Sequence, residues 1–353
     1  MKILICPDSY KGTLTSAQVC SCIKNGIEAL GDEHEIITLP FADGGEGFTE
    51  CMSNICNGDI LYTNCHDIFS RPIKAEYLTF GDTAVIECAA SCALQKRKDV
   101  MSASSFGVGE MIKSAVSKGF SNIILALGGS GCCDGGAGAL SALGADFYDE
   151  NYTRIAVPKG RDLNYIFGAG FRNIVKVINF TYACDVENTL FGKNGAAYVF
   201  APQKGANEKQ VNELDEGLKR LNAFLPRDVS KVECGGAAGG ICAGLYSVYG
   251  GRVLSGFDVL SSYANLEERI KNSDLIITGE GKTDKQTLMG KLPYRIALLA
   301  KKHNKKCAVI SGVIEGVSLG DRMVSLVDGE ITSEEAQKNA AEILQRKAKF
   351  ILQ

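Results

Sequence analysis

The stretch KILICPDSYKGTLTSAQVCSCIKNGIEALGDEHEIITL, residues 2–39, sets the fold class of the chain. Residues 2–6 and 35–39 are apolar runs of strand length, whereas residues 16–30 carry an apolar side chain every three or four positions, as one face of a helix does. A Thr-x-x-Gln capping box at Thr15 marks the start of this helix. A strand, a helix and a second strand in this order predict two parallel strands joined by a crossover.

The same alternation returns near the other end of the chain. We predict strands over 274–278, 307–311 and 324–327, a helix over 292–303 after the first of them, and a final helix over 333–352. Strands that alternate with helices predict a doubly wound parallel sheet, which binds ligands at the carboxyl ends of its strands.

Between these two regions the pattern changes to short extended runs separated by turn residues, and one such run, residues 196–200, is predicted to be a strand. We therefore predict an α/β protein of two domains. The first domain is discontinuous and comprises residues 1–58 and 257–353. The second domain, residues 59–256, is inserted into the first.

The composition excludes several classes of protein. Lysine and arginine number 38 and aspartate and glutamate 41, which gives a net charge of −3 and no electrostatic footprint for nucleic acid. The apolar runs are far shorter than the ~20 residues that a membrane helix needs, and the amino end does not resemble a secretory leader. We expect a soluble cytoplasmic protein without a nucleic-acid or membrane partner. Fourteen scattered cysteines, with no Cys-x-x-Cys pair, predict reduced and buried thiols.

Polar clusters follow the first two predicted strands. PDSYKG, residues 7–12, places an acid, a hydroxyl group and a lysine after the first strand, and DGGEG, residues 43–47, follows the second. Carboxylates at strand ends suit the binding of a metal ion or a hydroxyl group. The alternative is that an acid of the second cluster only favours the start of the helix that follows it.

A glycine-rich loop, GGSGCCDGGAG at residues 128–138, lies between a predicted strand over 123–127 and a helix. In this arrangement backbone N–H groups and the helix dipole bind phosphate. The loop has neither the Lys-Ser/Thr end of a Walker A motif nor the third glycine of a dinucleotide fingerprint. A close packing turn between strand and helix is the alternative.

A second loop, TGEGKTDKQT at residues 278–287, also follows a predicted strand. Its glycines have the spacing of neither a P-loop nor a dinucleotide site. The loop presents Glu280 and Asp284 together with Lys282 or Lys285, a mixture suited to phosphate and metal. A solvated polar loop is the alternative.

Taken together and in this order, the motifs of the chain resemble class I glycerate kinases. The resemblance includes the clusters at 7–12, 43–47, 128–136 and 278–291, and the shorter motifs ACDV at 183–186, PQKGA at 202–206 and GAAGG at 236–240. It covers nearly the whole chain, and seven motifs in register are specific where a single one is weak. The resemblance implies a flavodoxin-like discontinuous domain, an inserted α/β domain, an active site in the cleft between them, and ATP-dependent phosphorylation of D-glycerate.

The resemblance also implies roles for individual residues. The implied catalytic residues are Asp8, Lys11, Asp185 and Asp284. The implied ATP-binding residues are Gly128, Gly129, Ser130, Asp134, Lys204 and Lys291. The implied Mg²⁺ ligands are Asp43 and Asp284, because Mg²⁺ bridges phosphates through one or two carboxylates. Phosphorylation in the family is usually on the 2-hydroxyl group, which would give 2-phosphoglycerate and ADP, and the sequence leaves open which acid is the general base and whether the chain forms a homodimer.

Two alternatives stay open. The chain could be a kinase of another small hydroxy acid, because substrates are selected by placed hydrogen bonds that motifs do not locate. It could also be a flavodoxin-like module that binds a nucleotide or an organic acid without turnover. Three acid-bearing loops at strand ends, without an output domain such as a helix-turn-helix, favour the enzyme.

Overall fold

The computed structural model describes residues 1–42, 47–176 and 179–352. These residues fall into two compact units. The first unit comprises residues 1–42, 50–57 and 257–352. The second unit comprises residues 47–49, 58–176 and 179–256. The first unit is therefore discontinuous in sequence.

The strands are numbered in chain order. They are β1 (Lys2–Ile5), β2 (Glu35–Thr38), β3 (Asp59–His66), β4 (Pro72–Phe80), β5 (Thr83–Glu87), β6 (Asn122–Ala126), β7 (Asp146–Tyr148), β8 (Gly168–Gly170), β9 (Asn179–Ala183), β10 (Arg252–Leu254), β11 (Leu275–Thr278), β12 (Lys282–Thr283), β13 (Lys306–Ser311), β14 (Val313–Ile314) and β15 (Arg322–Ser325).

The α-helices are numbered in the same way. They are α1 (Ser16–Glu28), α2 (Phe48–Cys56), α3 (Ala89–Cys92), α4 (Phe106–Ser117), α5 (Ala137–Ala142), α6 (Ala196–Phe200), α7 (Glu208–Asn222), α8 (Ile241–Tyr249), α9 (Gly256–Ala264), α10 (Leu266–Lys271), α11 (Leu292–Lys302), α12 (Ser333–Lys338) and α13 (Ala340–Ala348). Within the described ranges, none of the helices combines the length and the apolar character needed to cross a membrane.

The first unit is built on a five-stranded sheet with the order β15-β13-β11-β1-β2, in which every neighbouring pair is parallel. Counted along the unit, this is the 2-1-3-4-5 order of flavodoxin-like doubly wound sheets. The strand order reverses between β1 and β11, and ligands bind to such sheets in the crevice outside the carboxyl ends of the strands at this point. The predicted parallel doubly wound fold is confirmed.

Apolar side chains cover both faces of this sheet. Ile3, Ile5, Ile277 and Ile310 are buried on one face, where their cluster includes residues of α1 and α13. The residues between them point to the opposite face because side chains alternate along a strand, and α11 packs against β11 and β13. Helices on both faces hold the strands in place, so the loops after the strands start from a rigid edge.

The second unit contains a six-stranded sheet with the order β10-β9-β6-β5-β4-β3. Strands β10, β9, β6 and β5 are parallel, whereas β4 and β3 continue the sheet in antiparallel pairs. Glu87, Ala126, Ala183 and Leu254 are in register across the parallel strands. The carboxyl ends of these strands therefore form one shared edge.

Local signals position α1 as predicted. The Thr15 hydroxyl accepts a hydrogen bond from the Gln18 N–H (3.3 Å), and the Gln18 side chain accepts one from the Thr15 N–H (2.9 Å), which completes the capping box. Gly31 follows the end of the helix with φ +82°, a conformation that favours glycine.

The prediction of a strand over 196–200 is wrong, because these residues form α6. The Val199 N–H donates to the Gly195 carbonyl (3.1 Å), as in a helical turn. Ala196 and Ala197 are buried while Tyr198 and Val199 are exposed, so burial does not alternate as in a strand. A five-residue apolar run has too few positions to separate the two periodicities.

The predicted final helix over 333–352 is divided into α12 and α13 and ends in a 3-10 turn. The break lies at Asn339, with φ −116° and ψ 29°. Asparagine has a low helix propensity because its side chain competes for backbone hydrogen bonds.

All fourteen cysteines are free thiols, and twelve of them are buried. Burial raises the pKa of Cys133 to about 12, so this thiol is protonated at neutral pH. The cysteines thus behave as small hydrophobic residues, as the sequence predicts.

The turn between β3 and β4 is held by Asp67, which is 6% exposed. Its carboxylate accepts hydrogen bonds from the N–H groups of Phe69 (2.9 Å) and Arg71 (3.0 Å) and from the Arg71 Nε (2.7 Å). Burial alone would raise the pKa of Asp67, but the Arg71 guanidinium and the other donors outweigh it and lower the pKa to about 2. The Ser104 N–H donates to the Ile68 carbonyl, which links this turn to the segment before α4.

We expect Asp67→Asn to lower the thermal unfolding midpoint near neutral pH by about 2–4 °C, the effect of about 1 kcal/mol. Because the pKa of Asp67 is lowered in the folded protein, ionised Asp67 stabilises the fold fully at pH values above about 3.9, the ordinary pKa of an aspartate. This contribution is lost as the pH falls towards about 2. The difference between the wild type and the variant should therefore shrink between about pH 4 and about pH 2 in scanning calorimetry. A difference that stays constant over this range would contradict the assignment.

Candidate functional site

A cleft of about 500 Å³ opens at the carboxyl edge of the five-stranded sheet. Its walls come from the segments after β1, β11, β13 and β15, together with α12 and the start of α13. This edge includes the place where the strand order reverses between β1 and β11. The volume lies in the range of roughly 300–1,000 Å³ that small-molecule sites occupy.

Backbone hydrogen bonds join the loops that form this cleft. The Asp8 N–H donates to the Gly279 carbonyl (2.9 Å), the Gly312 N–H to the Glu280 carbonyl (3.1 Å), and the Val327 N–H to the Gly312 carbonyl (3.0 Å). Position 279 requires glycine because a Cβ atom there would lie 1.6 Å from a backbone carbonyl oxygen of β13. The sheet is thus extended by its own loops, which fixes the side chains at the cleft.

Asp8 and Lys11, both predicted to be catalytic, line the cleft. The half-buried Asp8 accepts a hydrogen bond from the Ser9 N–H at Oδ1 (2.7 Å). Tyr10 is 3% exposed, and its hydroxyl donates to the Ile310 carbonyl (2.8 Å), which anchors the loop to β13. Lys11 is exposed and forms no ion pair with any residue that the structure describes, so its ammonium group is available to an anion.

The loop over residues 278–287 is anchored to the protein by buried side chains, while Lys282, Lys285 and Gln286 are exposed. Three of its threonines are buried: Thr278, Thr283 and Thr287. The Thr287 hydroxyl accepts a hydrogen bond from the Asp284 N–H (3.1 Å) and donates one to the Glu280 carboxylate. These contacts hold the two acids of the loop in a fixed relation.

Glu280 is a buried acid of the cleft, only 6% exposed. Its carboxylate also accepts from the Thr283 hydroxyl (3.3 Å), and the Lys291 Nζ lies 3.8 Å from it. Burial raises the pKa of Glu280 and the nearby Asp284 adds to this effect, while the threonine hydroxyls and Lys291 oppose it. A buried carboxyl group with a raised pKa in a cleft is a candidate functional group.

Asp284 is half-buried on the same loop. Its Oδ1 accepts a hydrogen bond from the Gln286 N–H (2.8 Å), and the Lys282 Nζ lies 3.8 Å from Oδ2. Lys282 forms its closer ion pair with Glu315 (2.9 Å). Asp284 therefore keeps lone pairs for a further ligand.

The predicted Mg²⁺ ligands are Asp284 and Asp43, and Asp43 lies outside the described residues. Within residues 1–42, 47–176 and 179–352, no three histidine, cysteine, aspartate or glutamate side chains come together as a metal site. In nucleotide sites, Mg²⁺ is held by one or two carboxylates together with phosphates and keeps several waters. Asp284 fits such a site as a single carboxylate ligand.

Another group of predicted site residues lies at the carboxyl edge of the six-stranded sheet. Asp185 follows β9, is exposed, and accepts a hydrogen bond from the Gly256 N–H at Oδ2 (3.2 Å). Gly128 and Gly129 follow β6, and Gly129 is exposed with φ +72°. The strand ends of the second unit therefore place these residues at one edge.

Lys204 is a buried lysine, 3% exposed. Its ammonium group donates to the Ser130 hydroxyl (3.2 Å) and to the Cys132 carbonyl (2.7 Å). These bonds tie the turn that contains Lys204 to the glycine-rich loop. An anion that binds at Ser130 would share this ammonium group.

Asp134 has no exposed surface. Its carboxylate accepts hydrogen bonds from the Ser105 N–H (2.7 Å), the Ser105 hydroxyl (2.8 Å), the Gly136 N–H (3.1 Å) and the Gly138 N–H (3.2 Å). Burial raises the pKa of Asp134, and these donors oppose the shift. Two of them are the N–H groups at the start of α5 to which the sequence assigns phosphate, so a phosphate would have to displace the carboxylate. Direct contact between Asp134 and a nucleotide stays a prediction, and the burial indicates that Asp134 organises the loop.

Two acids at the strand ends, Glu280 and Glu87, were not among the individual residues to which the resemblance assigns a role, although the loop that carries Glu280 was predicted to suit phosphate and metal. Glu280 belongs to a recognised motif, and only its burial and raised pKa distinguish it from the exposed side chains of that loop. Glu87 ends β5 and accepts a hydrogen bond from the Thr49 N–H at the start of α2 (2.7 Å). An acid directly after the apolar run 84–86 is the sequence signal that would have indicated it.

The predicted site residues divide between the two units. Asp8, Lys11 and Lys291 line the cleft of the first unit, and Asp284 stands on the loop that carries Glu280. The predicted residues in the second unit are Gly128, Gly129, Ser130, Asp134, Lys204 and Asp185.

Comparison with known proteins places this chain in a family. A profile described as "Glycerate kinase family" matches residues 3–353. The chain is 37% identical over 373 residues to a protein named glycerate kinase from Bacillus cereus, with 99% of this chain and 97% of the relative covered. It is 38% identical over 324 residues to a glycerate 2-kinase from Escherichia coli, with 88% and 85% covered.

A solved structure gives the same result. The crystal structure of a chain named glycerate kinase 2 from Salmonella typhimurium LT2 matches with a TM-score of 0.89 and 35% identity, covering 99% of this chain and 97% of that one. The similarity in sequence and in fold extends over the whole chain, which is therefore a kinase and belongs to the glycerate kinase family.

Proposed function

We propose that the protein transfers the γ-phosphoryl group of ATP to the 2-hydroxyl group of D-glycerate and releases 2-phosphoglycerate and ADP. The observation that carries the proposal is the cleft of the first unit, where Asp8, Lys11, Glu280 and Lys291 surround the switch point of a doubly wound sheet. The names of the relatives, glycerate kinase and glycerate 2-kinase, support glycerate as the substrate and its 2-position as the acceptor.

The chemistry requires positioning and neutralisation of charge. The glycerate hydroxyl oxygen forms a bond to the γ-phosphorus while the bond between that phosphorus and ADP breaks, and the hydroxyl proton leaves. Such a transfer needs little covalent participation by the protein. Lys11 and Lys291 are exposed cations at the cleft and are the proposed contacts to phosphate oxygens.

Three carboxylates are proposed for the proton and for the metal ion. Asp8, Asp185 and Asp284 all lie beyond strand ends and are accessible, in contrast to the enclosed Asp134. Bound with the nucleotide, Mg²⁺ neutralises phosphate charge, and Asp284 is its proposed carboxylate ligand. A general base has to lie within hydrogen-bond reach of the acceptor hydroxyl, so the position of bound glycerate decides which of the three carboxylates takes the proton.

We also propose that the two compact units are the discontinuous flavodoxin-like domain and the inserted domain, with boundaries near residues 58 and 257. Contacts from Gly128, Gly129, Ser130 and Lys204 to the nucleotide stay predictions of the sequence.

The proposal predicts that purified protein releases ADP from MgATP only when D-glycerate is present. A coupled assay with D-glycerate, with L-glycerate and without an acid measures this dependence, and phosphorus NMR of the product separates the 2-phosphate from the 3-phosphate. ADP release that does not respond to glycerate would overturn the proposal. Release that responds to another hydroxy acid and not to D-glycerate would support the alternative substrate.

A further inference from the structure

The cleft of the first unit changes character from one end to the other. At β1 and β11 it is lined by Asp8, Lys11, Glu280 and Lys291. At β13 and β15 most of the lining side chains are apolar, namely Val313, Leu326, Val327, Ala336 and Ala340. Two exposed polar residues also line this end: Ser333, and Glu315, which forms an ion pair with Lys282 (2.9 Å). Three spacings of about 4.8 Å between strands separate β1 from β15, so the change extends over about 14 Å.

This gradient of polarity does not match glycerate alone. A three-carbon hydroxy acid is polar throughout and has no group to place against the apolar end. A nucleoside triphosphate is elongated and carries its charges at one end and a flat, weakly polar ring at the other. Its shape and polarity follow the cleft from Lys11 to Ala340.

The side-chain amide of Gln337 is a polar group at the apolar end that is able to form hydrogen bonds with a nucleotide base. Gln337 lies on α12, lines the cleft and is exposed. Its amide forms no hydrogen bond with any residue in the described part of the chain. An amide offers a donor beside an acceptor, which matches the neighbouring acceptor and donor on one edge of adenine.

In the other candidate for the nucleotide, the glycine-rich loop of the second unit, donors at the start of α5 are already engaged. The N–H groups of Gly136 and Gly138 already donate to Asp134, and α5 has only six residues. The Lys204 ammonium is shared between Ser130 and a backbone carbonyl. Lys11, in contrast, has no ion-pair partner among the described residues.

We infer that the purine ring of the nucleotide binds at the apolar end of the cleft of the first unit, that Gln337 determines the preference for adenine, and that Lys11 and Lys291 face the phosphates. This inference rests on the proposed use of ATP. It assigns the nucleotide to residues other than Gly128, Gly129 and Ser130, to which the sequence assigns it.

Binding of ADP and GDP to the full-length protein, measured by titration calorimetry without glycerate, tests the inference. We expect Gln337→Ala to weaken ADP binding about fivefold to tenfold, the effect of a lost hydrogen bond, and to bring the two affinities closer together. Gln337→Glu should shift the preference towards GDP, because a carboxylate only accepts hydrogen bonds and guanine presents two neighbouring donors. Gln337 is exposed on a helix, so both variants should fold as the wild type does.

Two further variants separate recognition of the base from recognition of the phosphates. Lys11→Ala should weaken ADP and GDP by the same factor. Gln345→Ala removes the same side chain from an exposed position of α13 away from the cleft and should leave both affinities unchanged.

The inference is overturned if the Gln337 variants bind ADP and GDP as the wild type does while Ser130→Ala weakens both, because the nucleotide then binds at the glycine-rich loop. Glycerate-dependent ADP release by the wild type would leave the kinase proposal intact in that case. Wild-type protein that binds neither nucleotide would instead overturn the kinase proposal and the inference together.

Discussion

Asp284→Asn is expected to lower kcat for phosphorylation of glycerate by about two orders of magnitude or more, the usual effect of removing a general base or a metal-ligating charge. The substitution keeps the shape of the side chain and the oxygen that accepts from the Gln286 N–H. It removes the negative charge beside Glu280 that the proposed mechanism uses. Because no buried contact is lost, the thermal unfolding midpoint should stay within a few degrees of the wild type. Steady-state kinetics and scanning calorimetry on the same preparation check both parts.

Asp274→Asn is the matched control for Asp284→Asn. Asp274 lies at the opposite end of β11, is exposed, and likewise accepts a backbone hydrogen bond, from the Lys2 N–H (2.8 Å). The substitution Asp274→Asn should leave kcat unchanged. Asp185→Asn should behave as Asp284→Asn does if the carboxyl edge of the second unit contributes to the reaction. Near-normal kcat in the Asp284 and Asp185 variants would remove both carboxylates from the proposed mechanism.

The alternation of strands and helices at the two ends of the chain was enough to predict the parallel doubly wound sheet found in the first unit, because a parallel sheet buries apolar runs on both of its faces. The second unit was harder to predict. Its helix α7 has a capping box between Asn207 and Gln210, and Val211, Leu214 and Leu218 are buried on one face. Both features are visible in the sequence and indicate this helix. Residues 196–200 were assigned to the wrong element because their conformation depends on packing that no short run of sequence specifies.

For the candidate site, the sequence predicts the position of the loops better than the surroundings of each side chain. The rule that ligands bind at the carboxyl ends of parallel strands predicted that Asp8 and Lys11 lie at the sheet edge, and both line the cleft there. Lys291, which also lines the cleft, was assigned only by the resemblance. The rule did not distinguish Asp284, which is accessible, from Glu280, which is enclosed, since both belong to one polar loop. The gradient of polarity across the cleft depends on α12 and α13, which are remote in sequence from the motifs.

The motif also does not predict that Asp134 is buried. A glycine-rich loop between a strand and a helix is typical of a phosphate site. Here the Asp134 carboxylate takes the place of the phosphate, and two of its donors come from Ser105, 29 residues away in sequence. The same sequence motif therefore fits either an accessible anion site or one already filled by a carboxylate, and a segment distant in sequence decides between them.

Asp134→Ala is expected to cause the largest loss of stability among the substitutions considered, about 3 kcal/mol or more in the free energy of unfolding. The carboxylate accepts hydrogen bonds from four buried donors. Each donor left without an acceptor costs about 1–3 kcal/mol, and water that enters the cavity recovers part of this cost. Asp134→Asn should lose less, because one side-chain oxygen still accepts while the amide nitrogen does not. Ser105→Ala should lose least, because it removes a single hydroxyl group that donates to Asp134 and leaves only the Ala139 N–H without its acceptor.

Urea denaturation of the full-length protein, followed by circular dichroism, orders these variants by their midpoints. If Asp134 only organises the loop, folded Asp134→Asn protein should bind ADP about as tightly as the wild type does. A ligand of the nucleotide would show the opposite pattern, with a small change in midpoint and a large loss of affinity. That pattern would mean that the carboxylate leaves its four donors when ADP binds, so that the start of α5 becomes the anion site the sequence predicts.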